Sequence, residues 1–224
     1  MMKSIVFTTV GLLIAATATF PADRHRPVIV TASNGVNNQL LVFDTAGTLI
    51  ESVPTLGQGG AGANAGGIAT SDEAIAVVNF GSQTVSLFLR ADAGFELRQV
   101  VPVGSQPVSV AFGKDHLYVL GTTTVESHRL GQGGVEDAPD GVATLLASDG
   151  SAAQVGVVGD QLLLTEKSGN IESVRLRAGA VVGTAQPVEL PLGANDTPFG
   201  FATRGSNAYV TIAGSDAVAV VKNT

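Results

Sequence analysis

The chain has 224 residues, 45% of them hydrophobic and 14% charged, and a formal net charge of −7. That balance excludes a disordered or linker-dominated polypeptide, and the scattering of its 12 Lys and Arg residues excludes a basic footprint for nucleic acid or anionic lipid. There is no Cys and therefore no disulfide or thiol chemistry, while 28 glycines beside only 5% aromatics favour short strands and tight turns over helices.

The first 18 residues read as a secretory signal. Lys3 precedes an apolar stretch from Ile5 to Ala16, and Ala16-Thr17-Ala18 is a small-residue cleavage pattern, which predicts cutting after Ala18 and export to the periplasm or the extracellular space. The alternatives are a membrane anchor or a first core strand, but the stretch is shorter than the ~20 residues that span a bilayer. No later segment is long enough to do so, so no membrane contact is expected once the signal is removed. Residues 19–27 form a lead-in that includes His25, which has no partner visible in the sequence.

From Val28 onward one phrase recurs: a small apolar strand a, a turn, a strand b, a Gly/Ser/Asn turn, an alternating strand c and a weaker strand d. The first copy (28–56) has b at Val28–Ala32, c at Gln39–Asp44 and d at Leu49–Pro54, with no strand a. A Gly-rich run from Gly57 to Gly67 follows; it lacks the Lys-Ser/Thr ending and the helix of a phosphate cradle and reads as a long flexible connection. The second copy (65–103) places its strands at Gly67–Thr70, Ala74–Asn79, Thr84–Arg90 and Phe95–Val103. The third (106–147) places them at Pro107–Phe112, His116–Leu120, Thr124–Leu130 and Val142–Leu146. The fourth (152–191) has Ala153–Val158, Gln161–Thr165, Asn170–Leu176 and Val181–Leu190. The fifth (197–222) has Pro198–Thr203, Asn207–Ile212 and Ala217–Val221, with no strand d.

Equivalent points Ala76, Tyr118, Leu163 and Tyr209 are 42, 45 and 46 residues apart. A four-stranded propeller blade takes about 40 to 50 residues, so the spacing predicts an all-β chain folded as a β-propeller of four-stranded antiparallel blades, about five of them, in a single domain over residues 28–224. Antiparallel order puts the b-to-c turns and the d-to-a connections on one rim and the remaining turns on the other. The missing first strand a and last strand d predict an incomplete or open ring. It reads as a truncated piece of a longer propeller in preference to an imperfectly closed five-bladed ring, or one whose edges pair with another molecule, and self-association through those edges is expected.

"LLVFDTAGTL" at Leu40–Leu49, "SQPVSVAFGKDHLYVLG" at Ser105–Gly121, "QLLLTEKSGNIESVRL" at Gln161–Leu176 and "TPFGFAT" at Thr197–Thr203 together resemble the exported branch of the lactonase family of seven-bladed β-propellers, the YVTN-repeat or carboxymuconate-cyclase-like proteins. The resemblance covers essentially everything after the signal and implies about two further blades. It also implies opening or closing of a small lactone, of the phosphogluconolactone or carboxymuconate type, with no metal or organic cofactor. At the end of the fifth strand b the chain has Thr211-Ile212-Ala213, where the family tends to carry an acidic residue.

Glu166 stands directly after the fourth strand b, on the rim of the blade-to-blade connections. A carboxylate there is placed to act as general base on water attacking a lactone carbonyl, with Lys167 stabilising the oxyanion; the alternative is a solvated turn pair. Asn79, Asn195 and Asp196 share that rim as candidate ligand-binding groups, although Asn and Asp are also common turn residues. His128 falls in register with Phe88, Val174 and Val221, as either a satisfied core histidine or the mark of a pocket. His116 begins a strand beside a turn and has no visible partner. Glu136, Asp137 and Asp140 read as a solvated loop because their spacing is not that of an EF-hand, and no metal site is expected. Two functions remain: a lactonase-like enzyme with Glu166 as base at the channel mouth, or a non-catalytic propeller binding a small ligand or protein partner on the same rim.

Overall fold

A computed structural model describes residues 28–92, 94–190, 193 and 196–222. The signal, the lead-in, His25 and Asn195 lie outside the described residues. Five antiparallel sheets follow one another along the chain. Sheet 1 has β1 (Ile29–Ala32), β2 (Gln39–Phe43) and β3 (Leu49–Pro54), and sheet 2 has β4 (Ile68–Thr70), β5 (Ala74–Asn79), β6 (Thr84–Ala91) and β7 (Gly94–Pro102). Sheet 3 has β8 (Pro107–Phe112), β9 (His116–Gly121), β10 (Thr124–Gly131), β11 (Gly134–Val135) and β12 (Gly141–Thr144). Sheet 4 has β13 (Ala152–Val158), β14 (Gln161–Glu166), β15 (Asn170–Arg177) and β16 (Ala180–Pro187), and sheet 5 has β17 (Pro198–Arg204), β18 (Asn207–Ile212) and β19 (Ala217–Lys222). Within each sheet the strands lie in chain order, as blades require, and the first and last sheets have three strands among the described residues.

Apolar residues on both faces of strand b in sheets 2, 3 and 4 explain why the sheets stack. In β5, Ile75 and Val77 pack toward sheet 1 with Leu40, Val42, Phe88 and Phe95. Ala76 and Val78 pack the other way with Val110, Leu117 and Val119 of sheet 3. The same pattern seals sheet 3 against sheet 4 through Leu120, Val125, Leu162 and Leu164, and sheet 4 against sheet 5 through Leu163, Ile171, Val210 and Ile212. Each fully buried Val, Leu or Phe contributes roughly 1.5–3 kcal/mol, so stability resides in the four junctions. Sheet 5 shows the contrast: Ala208, Val210 and Ile212 of β18 are buried, while Tyr209, Thr211, Val218 and Val220 face outward and are exposed.

Two local expectations are corrected. Strand d of sheet 3 is divided: β11 and β12 pair with opposite ends of β10, and the acidic segment Glu136–Asp140 loops between them. The Gly-rich connection is also not a free loop. The Ala65 amide donates to the Ala153 carbonyl at 3.0 Å and the Val110 amide to the Gly66 carbonyl at 2.8 Å, so two residues bind the innermost strands of sheets 3 and 4. Ser109 Oγ donates to the Gly66 carbonyl as well, and Gln154 exchanges two hydrogen bonds with the Phe201 backbone of sheet 5. The inner strands are thus tied together near the axis by backbone groups that glycine-rich sequence leaves accessible.

Gly66 has φ +67, and a Cβ there would stand 2.8 Å from Ser109 Oγ. Gly66→Ala is expected to destabilise the protein by about 1–3 kcal/mol, read from denaturant unfolding, whereas Gly62→Ala, which meets open space, should be close to neutral.

Candidate functional site

β14 ends at Glu166, which pairs with Asn170 at the start of β15, while Glu172 pairs with Leu164 two residues earlier. Both carboxyls therefore project from the same face, diagonally across two strands, toward sheet 3. Neither is a solvated turn residue: both are 0% exposed. Glu172 Oε1 accepts the amides of Leu146 (2.9 Å) and Ala147 (3.4 Å), in the connection from sheet 3 to sheet 4. Glu166 Oε2 accepts from Asn170 Nδ2 at 3.2 Å. That leaves Glu166 Oε1 and Glu172 Oε2 buried with no separate donor.

Two adjacent buried carboxylates repel, and the stable solution is for one proton to satisfy both unpaired oxygens. Burial, then the neighbouring charge of Glu172, pushes Glu166 up from 4.5 to about 8. Burial raises Glu172 too, against its amide donors. Both shifts favour the protonated form, which disposes the pair to hold a proton at neutral pH.

Corresponding positions in the other blades explain what the pair does. Ser86 pairs with Val77, and Glu126 with Val119, in the register that Glu172 makes with Leu164. Ser86 Oγ donates to the Thr55 carbonyl at 2.6 Å, and Glu126 Oε1 accepts the Gly104 amide at 2.6 Å. In sheets 2, 3 and 4, this position of strand c therefore fastens the connection arriving from the preceding sheet. Asn79 is the sheet-2 counterpart of Glu166. It is fully buried, its Nδ2 donates to Ser86 Oγ (2.8 Å) and Thr84 Oγ1 (3.2 Å), and its Oδ1 accepts from Asn38 Nδ2 (2.9 Å).

The other sequence candidates are dispersed. Lys167 is half-buried and donates to the Ala152 carbonyl at 3.0 Å; burial lowers its proton affinity. Asp196 accepts the Gly193 amide at 2.6 Å and closes its own turn. His128 is buried at the junction of sheets 2 and 3, with Nδ1 donating to the Glu136 carbonyl (3.0 Å) and Nε2 facing Glu126 Oε2 (3.3 Å). Burial opposes its charge, but the bonds to Glu126 and the Glu136 carbonyl outweigh burial and raise its proton affinity.

Sequence reasoning left three participants unassigned. Glu126 and Glu172 were legible as acidic residues at matching points of successive copies, each the third residue of its strand c. His116 is buried and bonds Asp140 at 2.8 Å; Asp140 also accepts from Ser127 Oγ at 2.7 Å. This network joins the divided strand d to sheet 3: Glu136, Asp137 and Asp140 lie in an exposed loop, as expected, and Asp140 also bridges that loop to the sheet. Among the described residues no group of three or more His, Cys, Asp or Glu could hold a metal ion.

Comparison with solved structures bears on the fold. A protein from Bacteroides uniformis, inferred to be a 6-phosphogluconolactonase, superposes with TM-score 0.63 at 13% identity over 88% of this chain and 64% of its own. BamB from Moraxella catarrhalis gives 0.55 at 14% identity, over 85% of this chain and 56% of its own. The computationally designed Ika8 protein gives 0.57 at 12%, over 88% and 55%. The fold is a β-propeller. It is of the kind found in lactonase-like proteins and BamB, and the chain spans between 55% and 64% of the lengths of these three. No protein-family model matches the sequence, and no curated protein matches it.

The proton held by the propeller's carboxyl pair has a thermodynamic consequence. Glu166 binds its proton more tightly folded than unfolded, so its contribution to stability is full below 4.5 and declines as pH rises toward 8. His128 acts in the same direction: its contribution is full below 6.5 and is lost as pH passes its raised folded value. The melting temperature should therefore fall steadily from about pH 5 to about pH 8.5. Glu166→Gln, whose amide supplies a permanent donor to Glu172, should flatten that slope and raise stability at the alkaline end.

Proposed function

We propose that this chain is a non-catalytic propeller scaffold that binds a ligand or partner on the rim of its b-to-c turns and blade connections. The observation that carries this reading is the enclosure of Glu166: a general base must reach its substrate, and this carboxyl is fully buried beside Glu172 and accepts a hydrogen bond from Asn170. Its counterpart Asn79 is equally enclosed, and Lys167 holds a strand carbonyl instead of facing an oxyanion position. The bonds that Ala65 and Gly66 make near the axis also stand against a substrate entering there.

The lactonase reading keeps one specific support. A carboxyl raised to about 8 has the proton affinity of a catalytic acid or base, and such shifts concentrate at functional sites. The lactonase-like fold agrees with it, although one fold hosts many chemistries. Export remains a reading of residues 1–18 alone, and N-terminal sequencing of material recovered outside the cytoplasm tests it.

The purified protein should hydrolyse aldonolactones and unsaturated γ-lactones no faster than buffer, and Glu166→Gln should leave those rates unchanged. Turnover that is lost in Glu166→Gln while the fold is retained would establish the enzyme instead.

A further inference from the structure

The rim carries one cavity unlike the rest. It lies where the b-to-c turn of sheet 1 meets the connection into sheet 2, encloses about 500 Å³ and falls within the range of small-molecule sites. Its wall contains no charged side chain: the polar groups are Asn37, Asn38, Gln39, Gln58 and Ser82, and the apolar ones include Val36 and Leu56. Three other cavities among the described residues each carry charge, from Asp72, Glu73 and Arg90, from Arg98 and Glu136, or from Arg175. In a chain of net charge −7, an uncharged cavity selects against ions.

The frame of this cavity is fixed before any ligand arrives. The Asn38 amide donates to the Gly57 carbonyl, the Thr55 amide to the Asn38 carbonyl, and the Gly81 amide to the Gln58 carbonyl, at 3.1, 3.0 and 2.8 Å. Thr55 Oγ1 accepts the Gly57 amide at 3.1 Å, which pins the residue between them. That residue, Leu56, is held at φ +57, a left-handed conformation that leucine rarely adopts. Asn79 lies directly beneath, since a Cβ on Gly57 would stand 2.3 Å from Asn79 Cγ. The buried amide network thus supports the cavity floor, with Asn38 reaching its wall and Asn79 behind it.

Two features indicate what would fill the cavity. Val36 and Leu56 are 77% and 76% exposed, the highest among the exposed large hydrophobic side chains, and they flank the cavity. The side chains of Asn37 and Gln58 are exposed beside them, and each offers a donor and an acceptor from one amide. Hydroxyl groups have the same dual capacity, and the C–H face of a pyranose ring is apolar. We propose that this rim cavity binds a neutral saccharide of one or two rings. Val36 and Leu56 cover the apolar ring face, and Asn37, Gln58 and Ser82 bond its hydroxyls. The proposal rests on the binding-scaffold reading and gives it a location and a ligand class.

The test is NMR titration of the folded protein with glucose, galactose, maltose and cellobiose, with glucuronate and glucosamine as charged controls. At least one neutral sugar should shift amides confined to residues 36–39, 56–58 and 82, and the charged sugars should bind more weakly. Asn37→Ala and Gln58→Ala, at exposed side chains that leave the frame intact, should each weaken binding about 2- to 10-fold, the range for one neutral hydrogen bond. Val36→Asp should abolish it. The inference is overturned if no neutral sugar binds, if the charged sugars bind equally well, if the shifts fall elsewhere, or if the variants bind as the parent does. Lactone turnover would refute the scaffold reading while leaving these shifts in place, so the two failures are distinguishable.

Discussion

Each junction entering sheets 2, 3 and 4 is fastened by one buried polar side chain projecting from the start of strand c onto the incoming connection: Ser86 on Thr55, Glu126 on Gly104, and Glu172 on Leu146 and Ala147. Apolar packing between sheets is broad and non-directional, and by itself it leaves the rotation of one sheet over the next poorly specified. A hydrogen bond from a fully buried side chain to a particular backbone group fixes that relation, because leaving either partner unpaired in the junction is expensive. The connection must then approach closely. Gly104 has no room for a Cβ, which would stand 2.2 Å from Glu126 Oε1.

This constraint explains the chemistry of the rim. A serine can fasten a connection by donating, but a glutamate accepts, and burying its charge demands a further donor. At Glu126 that donor is His128, whose raised proton affinity follows from the pairing. At Glu172 the neighbour is a second carboxyl, Glu166, and the only economical donor is a proton shared between them. Three sheets solve one mechanical problem with a Ser–Asn pair, a Glu–His pair and a Glu–Glu pair. The perturbed proton affinities of Glu166 and His128 follow from the position of the fastening group beside each. The side chains of Asn37 and Gln58 lie outside this layer and are exposed.

The fold was legible because its determinants are local. Period-two alternation in segments such as Ala74–Asn79 and turn residues such as Gly159-Asp160 recur at the interval of a blade, and both are read within a few residues. The site was legible only in part. Glu166 and Asn79 do end strands b, as read from the sequence, but both are buried, and whether such a residue faces solvent or the next sheet depends on connections distant in the chain. His116 meets Asp140 across a break in strand d that no local pattern announces, and the Gly57–Gly67 run reads as flexible because its bonds go to strands of other sheets. The acidic residues Glu126 and Glu172 carried the missing signal: a carboxylate at the same register of successive copies, two residues after the start of strand c.

The central claim is that the rim carboxyls serve the junction and share a proton. Carbon-13 NMR of the glutamate side-chain carboxyls across a pH titration tests it directly. The account predicts that Glu166 and Glu172 titrate as a coupled pair, with Glu166 retaining its proton until about pH 8. Independent titration of both carboxyls near 4.5, the behaviour of solvated side chains, would contradict it.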